Sequence, residues 1–314
     1  MAKSTPREIR QLDLSTENKH ALLMEWYRRR QTEPFWSETL NKDSRRVWEA
    51  ANPNLETAEL RIVDDLARDG IALSSLEELF PGQGALARIQ AFAASQREAY
   101  DNAPTESGFE KAAFIRFLFG GGGTKPEIDL SEPGIAEFLS DPVLNIGGAH
   151  LGSAAKFVRF SLQSNFRQAP DAERKASQCW HRDPDDRRIF KMFIYVNGVK
   201  EPSDGPFQYV RGSHDRGTRK SLFPQTPPFG FYPGDEEVGN AVSEDEIITV
   251  TGKAGTVIFA DTNAIHRGGF STRNERTMFA AVYVSKASTF GRRYVVADNV
   301  DRSELPRLKR FAVS

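Results

Sequence analysis

Apolar positions recur at three- and four-residue spacing over residues 22–30, 55–68 and 85–100, with charged residues between them. That stripe is the mark of an amphipathic helix, so the first third of the chain is expected to be helical. Gly70, the Pro81-Gly82 pair and Pro104 punctuate these segments, and the four-glycine run 120–123 reads as a flexible loop. A further helix is expected over 133–139, extending toward His150. From Lys156 the period changes. KFVRFSLQS, IFKMFIYVNGV, GPFQYVRGSH, EIITVTG, GTVIFADTN and RTMFAAVYVS are short, rich in Val, Ile, Phe and Tyr, and separated by Gly, Pro, Asn and Asp. Strands in succession without intervening helices predict an antiparallel sandwich or barrel rather than a parallel βαβ sheet. Residues 215–245, Pro- and Gly-rich and acidic at the end, are long for a connection and read as a candidate lid.

Composition narrows the class. The 314 residues are 39% hydrophobic and 27% charged with a net charge of −1, ordinary values for a globular protein. Lys and Arg are spread along the chain, so no footprint for nucleic acid or an anionic membrane is expected. No apolar stretch approaches the ~18 residues of a membrane span, and the start, MAKSTPREIRQ, lacks the apolar core of a secretory signal. A single cysteine, Cys179, rules out an intrachain disulfide and is expected in the core. A soluble cytoplasmic protein is the expectation; oligomeric state is left open.

The candidate chemistry lies in the histidines, of which there are five: His20, His150, His181, His214 and His266. His181 and Asp183 stand two apart in CWHRDPDD, and two-residue spacing on an extended strand points both side chains to one face. His266 follows 85 residues later, just beyond the strand in GTVIFAD. Two imidazoles and one carboxylate on one face of an octahedron leave three open positions, the ligand pattern of non-heme iron(II) oxygenases. Ten residues on, Arg276 opens a strand that can return it to the metal end, where a buried guanidinium can grip a dicarboxylate with two prongs. Arg273 and, less plausibly, Arg267 compete for that role. Two other readings fail on spacing. HRD also opens a kinase catalytic loop, but Arg188 stands where that loop needs Asn. GGGGTK lacks the Gly immediately before Lys125 that a phosphate loop requires.

The ordered set of His181-x-Asp183, KMFIYVNGV, GPFQYVRGSH, His266 and Arg276 resembles the phytanoyl-CoA dioxygenase-like group of iron(II)/2-oxoglutarate oxygenases over residues 60–285. DLARDGIALSS is similar to that group's helix-then-strand opening. The resemblance implies a mainly β, α+β fold: a double-stranded β-helix (jelly-roll, cupin-like) core with N-terminal and flanking helices. One domain would cover 1–314, with a helical part at 1–150, the core at 151–290 and a tail at 291–314. It implies Fe(II), 2-oxoglutarate and O₂ as cofactor and co-substrates and a small molecule as substrate. Decarboxylation of 2-oxoglutarate to succinate and CO₂ would be coupled to oxidation, most simply hydroxylation, of a C–H bond. Arg276 would be the 2-oxoglutarate arginine. His214 falls in the group's Gly-Ser-His loop and is not carried over as a ligand, and Gly205, Pro206, Gly212 and Ser213 read as architectural. A carboxylate at Asp183 argues against halogenation, in which halide takes that place.

Around this centre, Gln163 and Asn165 are candidates for the co-substrate's metal-binding end. Lys191 and Tyr195, on one face of FKMFIYVNG, are candidates for its tail, Tyr195 also for the substrate pocket. Phe229, Phe231 and Tyr232 in the lid are candidates to close over a substrate, whereas Trp180 and Phe193 read as core. Two rival functions keep the same fold: isomerase or hydrolase chemistry on another metal, which does not require Arg276, and a non-catalytic binding protein. The substrate itself carries no legible signature.

Overall fold

The computed structural model describes residues 5–103, 114–225 and 230–314. The helical expectation holds with sharper ends. Two short N-terminal elements, α1 (Pro6–Gln11) and α2 (Thr16–Arg30), are followed by a π-helical turn over Phe35–Leu40 and by α3 (Lys42–Ala51). Ser15 caps α2 by accepting from the Asn18 amide at 3.3 Å. In α4 (Thr57–Asp69), Ile62 and Leu66, four apart, are fully buried, and Gly70 stops the helix in the left-handed conformation at φ 80°. Then come β1 (Ile71–Ser75), the single turn α5 (Leu76–Leu79) and α6 (Ala85–Asn102). The helix expected over 133–139 and beyond is two: α7 (Ile135–Phe138) and α8 (Asp141–Leu151), broken where Asp141-Pro142 restarts the chain behind Ser140.

Two strands of the main sheet precede the run expected from Lys156 on, the first of them in the helix-then-strand opening. β1 and β2 (Ile115–Gly120) become the two edges of a six-stranded antiparallel sheet in the order β1-β8-β5-β10-β4-β2. Here β4 is Lys156–Asn165, β5 Ile189–Tyr195, β8 Thr256–Asp261 and β10 Arg276–Val284. A smaller sheet, β7-β6-β9, faces it, with β6 at Phe207–Val210, β7 at Ile247–Val250 and β9 at His266–Arg267. A two-residue parallel pair, β3 (Glu127–Ile128) with β11 (Val295–Val296), and helices α9 (Asp235–Ala241) and α10 (Arg307–Ala312) complete the fold. Two opposed antiparallel sheets with helices against the outer face make it a jelly roll with flanking helices.

Alternation along the strands sorts the side chains. On β10, Phe279, Ala281 and Tyr283 face the helices and join a core with Ile62, Leu66, Phe190 and Phe259. The alternate residues face the small sheet. The expected strands map onto β4 to β8 and β10, so residue alternation there is also the map of the site. No helix among the described residues is long and apolar enough to cross a membrane.

The 120–123 run is a built turn rather than a flexible loop. All four glycines have φ between 54° and 86°, a left-handed run open only to glycine. Thr124 closes the turn through its amide and hydroxyl to the Gly121 carbonyl, at 2.9 and 2.7 Å. Nor is 215–245 an open loop throughout. Val238 of α9 and Val242 are buried with Trp180, Val210 and Ile265.

Candidate metal centre and its cavity

His181 and His266 sit opposite each other on neighbouring strands, exchanging backbone hydrogen bonds of 3.0 Å in both directions. This pair extends the small sheet by a short segment that carries Asp183 two residues on. The ligand-type atoms of His181, Asp183 and His266 all lie within 4.8 Å of one another. The Nε2 atoms of His181 and His266 are 3.8 and 3.7 Å from the two Asp183 carboxylate oxygens. Two ligands each ~2.1 Å from one ion can stand no more than about 4.2 Å apart, and each histidine meets that limit against one oxygen of Asp183. The ring tautomers suit it too. His181 Nδ1 lies 2.9 Å from the Cys179 carbonyl and His266 Nδ1 2.9 Å from the Ala264 carbonyl. Each carbonyl requires Nδ1–H, which turns the Nε2 lone pair inward.

The electrostatics match. Burial holds both imidazoles below the ordinary histidine range, His266 well below, so they are neutral and able to donate electron pairs. Burial alone would push the Asp183 carboxyl up, but the adjacent Lys191 ammonium outweighs it and holds the carboxyl below its ordinary range. Lys191 Nζ pairs with Asp183 Oδ2 at 2.5 Å.

The loop that presents Asp183 is held from several sides. The Asp183 amide donates to the Thr262 carbonyl at 2.9 Å, and Gln225 Nε2 donates to the Asp183 carbonyl. From α2, Arg30 donates to the carbonyls of Pro184 and Asp185, both at 3.1 Å. Trp36 donates its ring N–H to Asp186 at 2.8 Å, and Ser285 completes that buried carboxylate. Arg182, between the two ligands, points the other way. It donates to the carbonyls of Ser213, Asn263 and Leu222 at 2.6, 2.6 and 2.7 Å, and more distantly to Phe223 and Lys220.

Between the sheets lies a cavity of about 490 Å³, onto which His181, Lys191, His266 and Arg276 all open. Arg276 is 3% exposed and makes no ion pair among the described residues. Its Nη1 donates to the Gly205 carbonyl at 2.7 Å and its Nη2 to Asn165 Oδ1 at 2.8 Å, while Nε has no partner. Burial draws it below the usual arginine value, with Tyr195 opposing. Gly269 makes the approach possible: a Cβ there would stand 2.8 Å from Asn165 Nδ2 and 3.1 Å from Arg276 Nη2.

The strand register places the other candidates. Across β10 the cavity-facing rungs run Arg276 with Asn165, Met278 with Gln163 and Tyr195, Ala280 with Ser161 and Phe193, and Val282 with Arg159 and Lys191. Gln163 lines the cavity and accepts from Ser161 at 3.0 Å. Asn165 lies behind Arg276, not at the metal. Lys191 is six strand positions from Arg276, roughly 20 Å, and belongs to the metal end rather than the arginine end. Tyr195 is fully buried, its hydroxyl donating to the Val250 carbonyl at 2.9 Å and accepting from the Phe207 amide at 3.0 Å. That leaves it a brace rather than a substrate contact.

Of the lid residues, Phe229 lies outside the described residues. Phe231 pairs its backbone with Arg182 and stacks on Phe223. Tyr232, 60% exposed, lies nearly parallel to the His181 ring at 5.7 Å, on the outer side. Cys179, expected in the core, is only half-buried at the end of a tight turn, its thiol donating to the Arg174 carbonyl. Trp180 and Phe193 are buried as expected. His150 and His214 are buried away from the centre: His150 Nε2 pairs with Asp261 at 3.0 Å and His214 contacts the Ala67 carbonyl. Arg273 is an exposed partner of Glu201, and Arg267 is held by Gln208 and Asp235. Sequence reasoning missed Arg159 and Arg293 in the cavity wall, although Arg159, Ser161, Gln163 and Asn165 alternate on β4.

No family model matches the chain, and no curated protein does. Solved structures do. EctD from S. alaskensis with bound Fe aligns over 75% of this chain and 80% of its own, with TM-score 0.51 and 19% identity. AviO1 from Streptomyces viridochromogenes Tue57 covers 75% and 98%, with TM-score 0.48 and 17% identity. The epimerase SnoN, in complex with Fe3+, alpha ketoglutarate and nogalamycin RO, covers 73% and 84%, with TM-score 0.43 and 18% identity. At these identities the likeness, carried by EctD, is one of fold.

Proposed function

We propose that this protein is an iron(II)- and 2-oxoglutarate-dependent oxygenase that hydroxylates a C–H bond of a small molecule, in the manner of the phytanoyl-CoA dioxygenase-like group. Arg276 carries the reading. A buried guanidinium with no carboxylate partner among the described residues opens onto the same cavity as a His-Asp-His cluster. The EctD structure of similar fold contains Fe, which agrees with that cluster's donor set. Isomerase or hydrolase chemistry on another metal gives no account of so costly a group.

In this reading His181, Asp183 and His266 hold the iron. The ion supplies activation of dioxygen coupled to decarboxylation of 2-oxoglutarate, so that R–H, O₂ and 2-oxoglutarate give R–OH, succinate and CO₂. The chain does the positioning. Gly205 and Asn165 fix the plane of the Arg276 guanidinium, which takes the distal carboxylate of 2-oxoglutarate. Met278, Phe193 and Phe207 line the path between arginine and ligands with apolar surface, excluding water and strengthening that ion pair. The Cys179 and Ala264 carbonyls keep the protons of His181 and His266 on Nδ1.

The test is anaerobic addition of iron(II) and 2-oxoglutarate to metal-free protein. A weak visible charge-transfer band is expected, absent in His181→Ala. No band from well-folded protein, or an unchanged band in that variant, would sink the reading.

A further inference from the structure

The cavity wall carries more positive charge than a co-substrate needs. Besides Arg276, it presents Lys191, Arg267, Arg159 and Arg293. Lys191 is committed to Asp183, and Arg267 to Asp235 and Gln208. Arg159 is half committed: one Nη2 bond of 3.0 Å goes to buried Asp185, while 37% of its side chain stays exposed. Arg293 is exposed, and its guanidinium has no protein partner among the described residues. Its backbone amide donates to the Val158 carbonyl at 2.8 Å, which seats it beside Arg159.

These two arginines lie at the end of the cavity away from Arg276. Arg159 is across Val282 from Lys191, in one cross-strand row. Two strand spacings separate their backbones, on the order of 10 Å, so the arginine pair and the candidate iron site are neighbours. Ile115, Phe117 and Val282 line the wall with apolar surface, and the side-chain-free turn at Gly121 and Gly122 stands beside Phe117.

From this placement we infer that the substrate is an amphiphile whose oxyanion, carboxylate or phosphate, is bound by Arg293 and Arg159 while its apolar body reaches toward the centre. The inference rests on the oxygenase reading only for the word substrate. The binding site stands on the two arginines, neither of which touches a proposed iron ligand.

The experiment is calorimetric titration of the full chain, loaded anaerobically with iron(II) and saturating 2-oxoglutarate, with octanoate, octyl phosphate and octanamide. At least one anion is expected to bind about tenfold or more tightly than octanamide, the worth of one charge-assisted contact. The better anion identifies carboxylate or phosphate. Arg293→Gln removes the preference and Arg293→Lys keeps most of it, with the charge-transfer band intact in both. Equal binding of octanamide, no binding of either anion, or a preference untouched by Arg293→Gln overturns the inference. So does a preference lost in Arg276→Met instead, which would place the probes in the co-substrate's position. Should the band never form, the oxygenase reading fails while titration of metal-free protein still decides the anion site.

Discussion

Arg182 and Arg276 are the same side chain, buried to 2% and 3% exposure, each without an ion-pair partner among the described residues. Their surroundings differ. Arg182 is filled with carbonyl acceptors drawn from three separate turns of chain, and burial lowers it to about 10. Arg276 has two acceptors, a free Nε and a cavity in front of it. Depth of burial therefore says little about purpose. The inventory of partners separates an arginine that knits loops together from one kept for a ligand.

The largest expected effect falls on the knitted side. Arg182→Met leaves the carbonyls of Ser213, Asn263 and Leu222 unanswered, and is expected to cost about 3–5 kcal/mol in urea unfolding. Arg276→Met, which removes a cation lacking a counter-charge, should cost about 1–3 kcal/mol. Equal losses would erase the distinction. In ligand binding the order reverses. Arg276→Met should weaken 2-oxoglutarate binding about 100-fold, some 2.7 kcal/mol, with iron binding nearly unchanged, whereas folded Arg182→Met should bind it normally. Calorimetry on both variants decides this.

Acid sharpens the comparison further. Burial holds His150 and His214 on the braced side, and His181 and His266 on the cavity side, below the ordinary value of 6.5. Below that pH the unfolded chain takes up protons that the folded chain refuses, so stability falls as pH drops through and below 6.5. Each histidine contributes up to about 1.4 kcal/mol per pH unit until its folded pKa is passed. An ion on His181 and His266 adds stability of its own and meets competing protons only where the folded site accepts them. Apparent metal affinity of the folded protein should therefore hold through pH 6.5 and weaken only as pH falls through the lowered values of His181 and His266. Urea midpoints measured from pH 7.5 to 5 with and without metal test both parts, and a flat profile for the metal-free protein would contradict the first. The smallest effect belongs to Arg273→Ala. Its exposed pairing with Glu201 should leave both the unfolding midpoint and 2-oxoglutarate affinity unmoved.

The parts of the site that obey a period were legible. His181 and Asp183 could be paired because a strand repeats every two residues, and α4 and α6 because a helix repeats every 3.6. Arg276 was found from its spacing after His266. What stayed hidden depends on partners that have no letter in the sequence. Arg182 carries no sequence signal of its role because its partners are backbone carbonyls. Asn165 was placed at the metal because nothing local reveals that its amide oxygen serves Arg276. The edge strand β2 was missed since AAFIRFLFG is a short apolar run, which reads equally as helix or strand. Arg159 lay on the same alternation as Gln163, but the irregular register between β10 and β4 at Val282/Tyr283 disturbs the count beside it.

The backbone exchange between His181 and His266 has a consequence for assembly of the molecule. It joins residues 85 apart, so the two imidazoles meet only once the intervening strands have found their order. A divalent ion seated there acts as a clasp across that loop, and the ordering entropy of the closed chain has been met before the ion arrives. Metal uptake during refolding would therefore follow the closing of the barrel and hold it shut.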